Sequence, residues 1–132
     1  MQLSEQWVLV TGGARGLGQS ITRALAREGA GVVINYLHSD AAAQALAEEL
    51  GPRALALQAD VTDAAAVQRL FAQARERTGQ PISAVVNNAL AQFRFDGDAR
   101  PQIGDITWQR FAQQLEGAVK GALNTTQAAL PA

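Results

Sequence analysis

The chain has 132 residues, a formal net charge of −1, and 17% charged against 48% hydrophobic residues, which suits one ordinary domain with a real core. Near-neutral charge argues against a nucleic-acid partner, and the lack of cysteine with a single histidine, His38, argues against disulfides and metal clusters. No apolar stretch approaches the ~18 residues of a membrane span, and MQLSEQWVLV lacks the pattern of a signal peptide, so a cytoplasmic protein without a membrane partner is expected.

The first apolar run, Trp7–Val10, leads straight into the glycine cluster Gly12, Gly13, Gly16 and Gly18. A helix opens within that cluster, with Leu17, Ile21, Ala24 and Leu25 at the spacing of one inward face, and Gly29-Ala30-Gly31 stops it. Val32–Tyr36 is short and β-branched, hence a strand. The alanine-rich stretch Asp40–Leu50 has Leu46 and Leu50 at helical spacing and ends at Gly51-Pro52. Arg53–Gln58 is a weaker strand. Asp60–Asp63 then supplies a turn and a cap for a helix with Val67, Leu70, Phe71 and Ala74 on one stripe, up to Thr78-Gly79. Ile82–Asn87 is a fourth strand, and a polar loop with Gly97, Pro101 and Gly104 follows it. The last helix starts near Thr107 and is expected to turn Phe111, Leu115, Ala118, Val119 and Ala122 inward.

Strands separated by helices cannot pair as hairpins. The reading is therefore α/β: a doubly wound, Rossmann-type parallel sheet with right-handed crossovers and helices on both faces. A flavodoxin-like or response-regulator fold also alternates βα, but does not need three glycines at its first turn.

Thr11–Gly18 stands where a strand becomes a helix. Gly12 permits a sharp turn, Gly16 lets backbone approach a pyrophosphate, and Gly18 lets the helix pack on its strand. The helix start, with Leu17, offers free N–H groups and a partial positive charge to phosphates. A merely structural turn is the competing reading, and the surrounding βαβ unit favours the nucleotide. Tyr36 stands at the end of the second strand, where an NAD-specific site would carry an acid, and Arg15 sits inside the loop. Missing carboxylate and added guanidinium both favour a 2′-phosphate, so NADP (NADPH) is the expected cofactor; a solvated Arg15 is the alternative. Asp60 and Val61 follow the third strand, where a carboxylate could take an adenine amino group or serve the helix start, for which Thr62 or Asp63 is better placed. Asn87 and Asn88 could brace neighbouring strand ends, and Ala89 leaves room for ribose or nicotinamide.

These features, in this order, resemble the short-chain dehydrogenase/reductase family. The segments that carry the resemblance are Thr11–Gly18, the strand end at Tyr36, Asp60–Asp63, Asn87–Ala89 and the stretch from Gly117 to Pro131. Thr-Gly-Gly-x-Arg-Gly and Val-Val-Ile-Asn-Tyr make the 3-oxoacyl-[acyl-carrier-protein] reductases the nearest subgroup. The resemblance implies strand order 3-2-1-4 for the part present and hydride transfer between a nicotinamide and a small-molecule carbonyl, here an acyl thioester with acyl-carrier protein as a partner. It also implies a homo-dimer or tetramer through the last helix. In that family a Ser polarises the oxygen, a Tyr acts as general acid, a Lys four residues later tunes it, and a helix Asn holds a relay water. Here the only tyrosine is Tyr36 and the only lysine Lys120, the Asn position holds Ala118, and Asn124 is expected to face elsewhere. No catalytic residue is therefore assigned. The family's Asn-Asn-Ala-Gly reads Asn-Asn-Ala-Leu at Leu90, which is expected to crowd the turn. Residues 1–132 read as the dinucleotide-binding half of one domain, truncated after the interface helix, with the Ser and Tyr-x-x-x-Lys expected beyond Ala132. The alternative is an inactive nucleotide-binding scaffold. The loop Ala91–Asp105, with Phe93, Arg94 and Phe95, is the substrate-side candidate, and a mobile connection is the alternative reading.

Overall fold

The computed structural model describes residues 1–90 and 100–131. The strands are β1 (Trp7–Val10), β2 (Gly31–Tyr36), β3 (Ala54–Gln58) and β4 (Ala84–Val86). Helices α1 (Gly16–Arg27), α2 (Asp40–Leu50) and α3 (Ala64–Thr78) link them, and α4 (Trp108–Leu115) and α5 (Gly121–Ala129) follow. All pairings are parallel, in the order β3-β2-β1-β4, which is the expected Rossmann-type sheet. The chain steps from β1 outward to β3, then returns to lay β4 on the other side of β1. That reversal puts a crevice beyond the carboxyl ends of β1 and β4, where open α/β sheets bind ligands.

Alternation sorts the strand residues onto two layers. Val8, Val10, Val32, Ile34, Tyr36 and Ala56 pack with Ala43 and Leu46 of α2 and with Ile21 and Leu25 of α1. Trp7, Leu9, Val33 and Leu57 pack with Leu70 and Ala74 of α3. β1 and β2 are buried along their whole length, which is why their sequences are apolar on both faces. Asp63 caps α3 by accepting from the Ala65 and Ala66 amides at 3.0 and 3.2 Å, and Gly79 ends that helix with φ +74°. β4 spans only Ala84–Val86 of the expected Ile82–Asn87, with Ile82 buried just ahead of it.

Two helix faces differ from expectation. In α1, Ile21 and Leu25 pack on the core as expected, whereas Leu17 and Ala24 are exposed and Gly18 and Thr22 are the fully buried residues. A Cβ on Gly18 would stand 2.1 Å from the Gly12 carbonyl oxygen, so the helix start meets the turn too closely there for a side chain. The last helix is three pieces: α4, a π-helical segment Glu116–Lys120, and α5. Phe111, Leu115, Ala118 and Val119 are exposed and Ala122 is half-buried, whereas Gly117, Gly121, Asn124 and Thr125 face inward. A Cβ on Gly121 would stand 2.8 Å from Val61 Cγ2, so close approach rather than apolar bulk selects this face.

Candidate functional site

The turn after β1 is pinned from several sides. Gly12 and Gly16 take φ of +62° and +56°, conformations that side-chain-bearing residues rarely adopt. The Gly13 amide donates to the Asn35 carbonyl at 2.9 Å, the Gly12 amide donates to Asn35 Oδ1 at 3.2 Å, and Thr22 Oγ1 donates to the Gly13 carbonyl at 3.2 Å. A Cβ at Gly18 would lie 2.1 Å from the Gly12 carbonyl oxygen and 2.6 Å from Asn88 Nδ2. Where a Cβ of Gly16 would project, no atom of the described residues lies within 4 Å. The turn is thus tight on its inner side and open on its outer side.

α1 starts at Gly16 with exposed Leu17 behind it, and its first turn carries no acidic side chain to neutralise the helix dipole. Arg15, the residue before the helix, is exposed and extended, makes no side-chain cap, and has no ion-pair partner among the described residues. A cationic arm therefore stands beside an anion-receptive helix end.

The other strand ends converge on this turn. Thr11 Oγ1 accepts from the Asn88 and Ala89 amides at 2.9 and 3.0 Å, and Asn88 Nδ2 donates to the Thr11 and Gly12 carbonyls, both at 3.2 Å. Asn88 and Ala89 are thereby fastened to β1, as bracing residues would be. Leu90 turns outward and is 65% exposed; the residue that crowds Gly12 is Ala89, whose Cα lies 3.1 Å from a Cβ built there. Thr11→Val keeps the shape but leaves both amides without an acceptor, at about 1–3 kcal/mol per orphaned group. The expected result is a loss of roughly 2–4 kcal/mol in unfolding free energy by denaturant titration; a loss under about 0.5 kcal/mol would mean that Thr11 is not the fastening.

Asp60 Oδ1 accepts from the Thr62 amide at 2.9 Å and from Thr62 Oγ1 at 2.7 Å, which closes the turn after β3 and leaves capping to Asp63. Asp60 and Val61 remain half-buried beside the strand ends. Asn87 Oδ1 accepts from Thr125 Oγ1 at 2.6 Å, and Asn124 Nδ2 donates to the Val61 carbonyl at 2.8 Å. α5 is therefore tied by polar contacts to the ends of β3 and β4. Ala118 sits in the π-helical segment, exposed, and Asn124 faces the β3 turn instead. Residues Phe93, Arg94 and Phe95 lie outside the described residues.

Tyr36 turns its ring into the core, 7% exposed, and its hydroxyl donates to the Asp40 carboxylate, with Gln44 Nε2 at 3.5 Å. The Tyr36 carbonyl accepts from the Ala59 amide at 3.0 Å, and exposed His38 lies beyond it. The hydrogen bond to Asp40 holds the phenol above the ordinary tyrosine range; burial and the Asp40 charge add to this, and Gln44 opposes it. A proton held more tightly in the folded state adds stability below the ordinary tyrosine pKa, and that stability is lost as pH rises through the folded value. Tyr36 is the only tyrosine, so an ultraviolet absorbance titration reads it alone. Asp40→Asn should move its inflection down toward the ordinary value, and an unmoved inflection would remove Asp40 as the cause.

The family model for short chain dehydrogenases matches residues 6–132. The chain belongs to the short chain dehydrogenase family. A sorbitol dehydrogenase of Cereibacter sphaeroides is 40% identical over 128 residues, an alignment taking in 97% of this chain and 47% of that protein. A blue fluorescent protein from a metagenomic library, solved in complex with NADPH, superimposes with a TM-score of 0.80 at 33% identity, covering 98% of this chain and 51% of that one. A short chain dehydrogenase of Burkholderia cenocepacia, solved in complex with NADP, gives 0.80 at 36% identity with the same coverage. The chain spans about half the length of the curated relatives it matches.

Within this short chain dehydrogenase chain, the glycine turn, Asp60–Val61 and Asn87–Ala89 meet at one edge of the sheet, as their order suggested. Sequence reasoning passed over Asn35, Thr22 and Thr125, three buried polar side chains that each bond to a site segment. Asn35 had a signal: an amide inside the otherwise apolar run of β2 needs a buried partner. Thr22 and Thr125 had none, being ordinary helix residues until packing gives them neighbours. No helix among the described residues is long and apolar enough to cross a membrane.

Proposed function

We propose that these residues are the cofactor-binding half of a cytoplasmic, NADP(H)-dependent oxidoreductase that reduces a carbonyl, with 3-oxoacyl thioesters as the substrate class. The observation that carries the reading is the outward-open turn at Gly16, flanked by Arg15 with no ion pair among the described residues, at the start of a helix whose first turn has no acidic residue. That cradle fits a dinucleotide. Gly12, Gly16 and Leu17 would present backbone to the diphosphate, and Arg15 the 2′-phosphate. Asp60 and Val61 would face adenine, and Asn87, Asn88 and Ala89 the ribose and nicotinamide side. Tyr36 would contribute backbone at the adenosine ribose, since its phenol is engaged by Asp40. When bound, the nicotinamide supplies or accepts the hydride. What this chain adds is a fixed diphosphate seat, a charge that selects the 2′-phosphate, and strand ends held in register.

NADPH-bound and NADP-bound solved neighbours support the cofactor assignment. Proton transfer and carbonyl polarisation are assigned to a Ser and a Tyr-x-x-x-Lys that the family uses and residues 1–132 do not contain. The exposed apolar side chains Trp108, Phe111, Leu115 and Val119 on the last helix support a homo-oligomer. A second reading, a nucleotide-binding module without turnover, is favoured by the same missing residues and by alanine at position 118. Fluorescence titration of the 132-residue chain should give NADPH binding stronger than NADH binding, with no oxidation of NADPH in the presence of a 3-oxoacyl thioester or a ketose. Absence of NADPH binding would defeat the cofactor reading, and turnover by the verified 132-residue chain would defeat the half-enzyme reading.

A further inference from the structure

Among the described residues, Asn35 is the one whose side chain bonds both to the glycine turn and to the end of β3. It is 2% exposed, on the last-but-one position of β2. Its Oδ1 accepts from the Gly12 amide at 3.2 Å and its carbonyl accepts from the Gly13 amide at 2.9 Å. Its Nδ2 donates to the carbonyl of Ala59 at 3.0 Å, the residue immediately before Asp60. The two loops it joins follow different strands, β1 and β3, which are not neighbours in the sheet; β2 lies between them. Backbone bonds tie each loop to β2 separately, the Gly13 amide to the Asn35 carbonyl at 2.9 Å and the Ala59 amide to the Tyr36 carbonyl at 3.0 Å, and one side chain joins the two loops directly. The Asn35 amide does so, because it has both a donor and an acceptor and spends one on each side.

We infer that Asn35 is a positioning residue that registers the diphosphate turn to the adenine-side loop, so that both ends of one dinucleotide are recognised together. This rests on the cofactor reading above and deepens it. A dinucleotide gains affinity over its fragments because binding one end holds the other at high effective concentration, and that gain exists only when the two subsites are correctly spaced. A hydrocarbon at position 35 would leave the Gly12 amide and the Ala59 carbonyl each free to shift. Each subsite would still exist, held to β2 by its own backbone bond, but the side-chain link that fixes one against the other would be lost.

The test compares NADPH with 5′-AMP and inorganic pyrophosphate on the 132-residue chain, by isothermal titration. In Asn35→Leu, of similar volume, NADPH affinity should fall roughly tenfold more than the affinity for either fragment, since the loss is one of linkage. A purely structural role would lower the folded fraction and weaken all three ligands by one common factor; an unchanged ratio overturns the proposal. Asn35→Asp is the second variant: it keeps the acceptor for Gly12, and in its ionised form has no donor for Ala59. It should shift the ratio in the same direction. If neither variant folds, the unmutated protein still decides. Saturating adenosine, which carries no phosphate, should slow amide exchange at Gly12 and Gly13 through Asn35, and unaltered exchange there overturns the registration. A wild-type chain that binds NADPH while failing these comparisons defeats only the role of Asn35; a wild-type chain that binds no NADPH defeats the cofactor reading beneath it.

Discussion

Gly18→Ala should damage this chain more than any other single methyl group added to its first turn. The new Cβ would stand 2.1 Å from the Gly12 carbonyl oxygen and 2.9 Å from its carbonyl carbon, both backbone atoms that no side-chain rotation can clear. It would also stand 2.6 Å from Asn88 Nδ2, so relief in that direction breaks the bonds by which Asn88 holds the Thr11 and Gly12 carbonyls. Overpacking ordinarily costs about 1–3 kcal/mol and occasionally more; a backbone neighbour with no freedom puts this site at the upper end, about 3 kcal/mol. For a chain of this size that is a fall of roughly 10 °C in Tm. NADPH affinity should drop about tenfold or more with it, because every relaxation that makes room moves Gly12 or α1 away from the other. Gly104→Ala is the control: no atom of the described residues lies within 4 Å of its Cβ and its φ is not positive, so its effect should stay within about 0.5 kcal/mol. A Gly18→Ala protein that melts within about 2 °C of the unmutated one and binds NADPH equally well would mean that the helix–turn contact is not tight.

Arg15→Glu should erase most of the preference for NADPH over NADH. A hydrogen bond to a charged group contributes about 1.5–3 kcal/mol, and replacing the cation by an anion adds repulsion to that loss. At about 1.4 kcal/mol per tenfold, NADPH affinity should fall roughly 10–100-fold or more, while NADH, which has no 2′-phosphate, should change only a few-fold. The variant should remain folded. Arg15 stands exposed before α1 with no ion pair among the described residues, and an anion at a helix start is favourable by about 0.3–1 kcal/mol. Isothermal titration with both cofactors reads the ratio, and because the interaction is exposed the NADPH advantage should shrink as salt rises. Equal affinity for the two cofactors in the unmutated chain would take the selecting role away from Arg15.

The end of β2 qualifies how that preference arises. Residue 36 itself is not an acid, yet the Asp40 carboxylate reaches back to the Tyr36 hydroxyl. A through-space acid at a strand end is invisible to a count of residues after the glycine turn, because the first turn of α2 folds it back. In the folded chain that carboxylate is engaged by the phenol.

The glycine turn and the alternation of strands and helices were legible in the chain because each rests on local chemistry, whereas the sheet order came with the family resemblance. A strand followed at once by Thr11–Gly18 allows few backbone paths, and apolar runs such as Val32–Ile34 leave little choice but a sheet covered on both faces. Which side of α1 and of the last helix faces inward was not legible. Apolar periodicity favours Leu17, Phe111, Leu115 and Val119, whereas the fold buries Gly18, Gly117, Gly121, Asn124 and Thr125. Periodicity assumes that bulk is what burial rewards; here the elements approach so closely that a Cβ would clash with backbone at Gly18 and crowd Val61 at Gly121, and the buried polar side chains find hydrogen-bond partners. Those partners, the carbonyls of Val61 and Ala59 and the side chain of Asn87, come from strands far along the chain. Hydrogen bonds between distant segments exist only once the sheet has assembled, so local sequence fixes what each turn can do, and assembly alone decides which side chains hold the turns together.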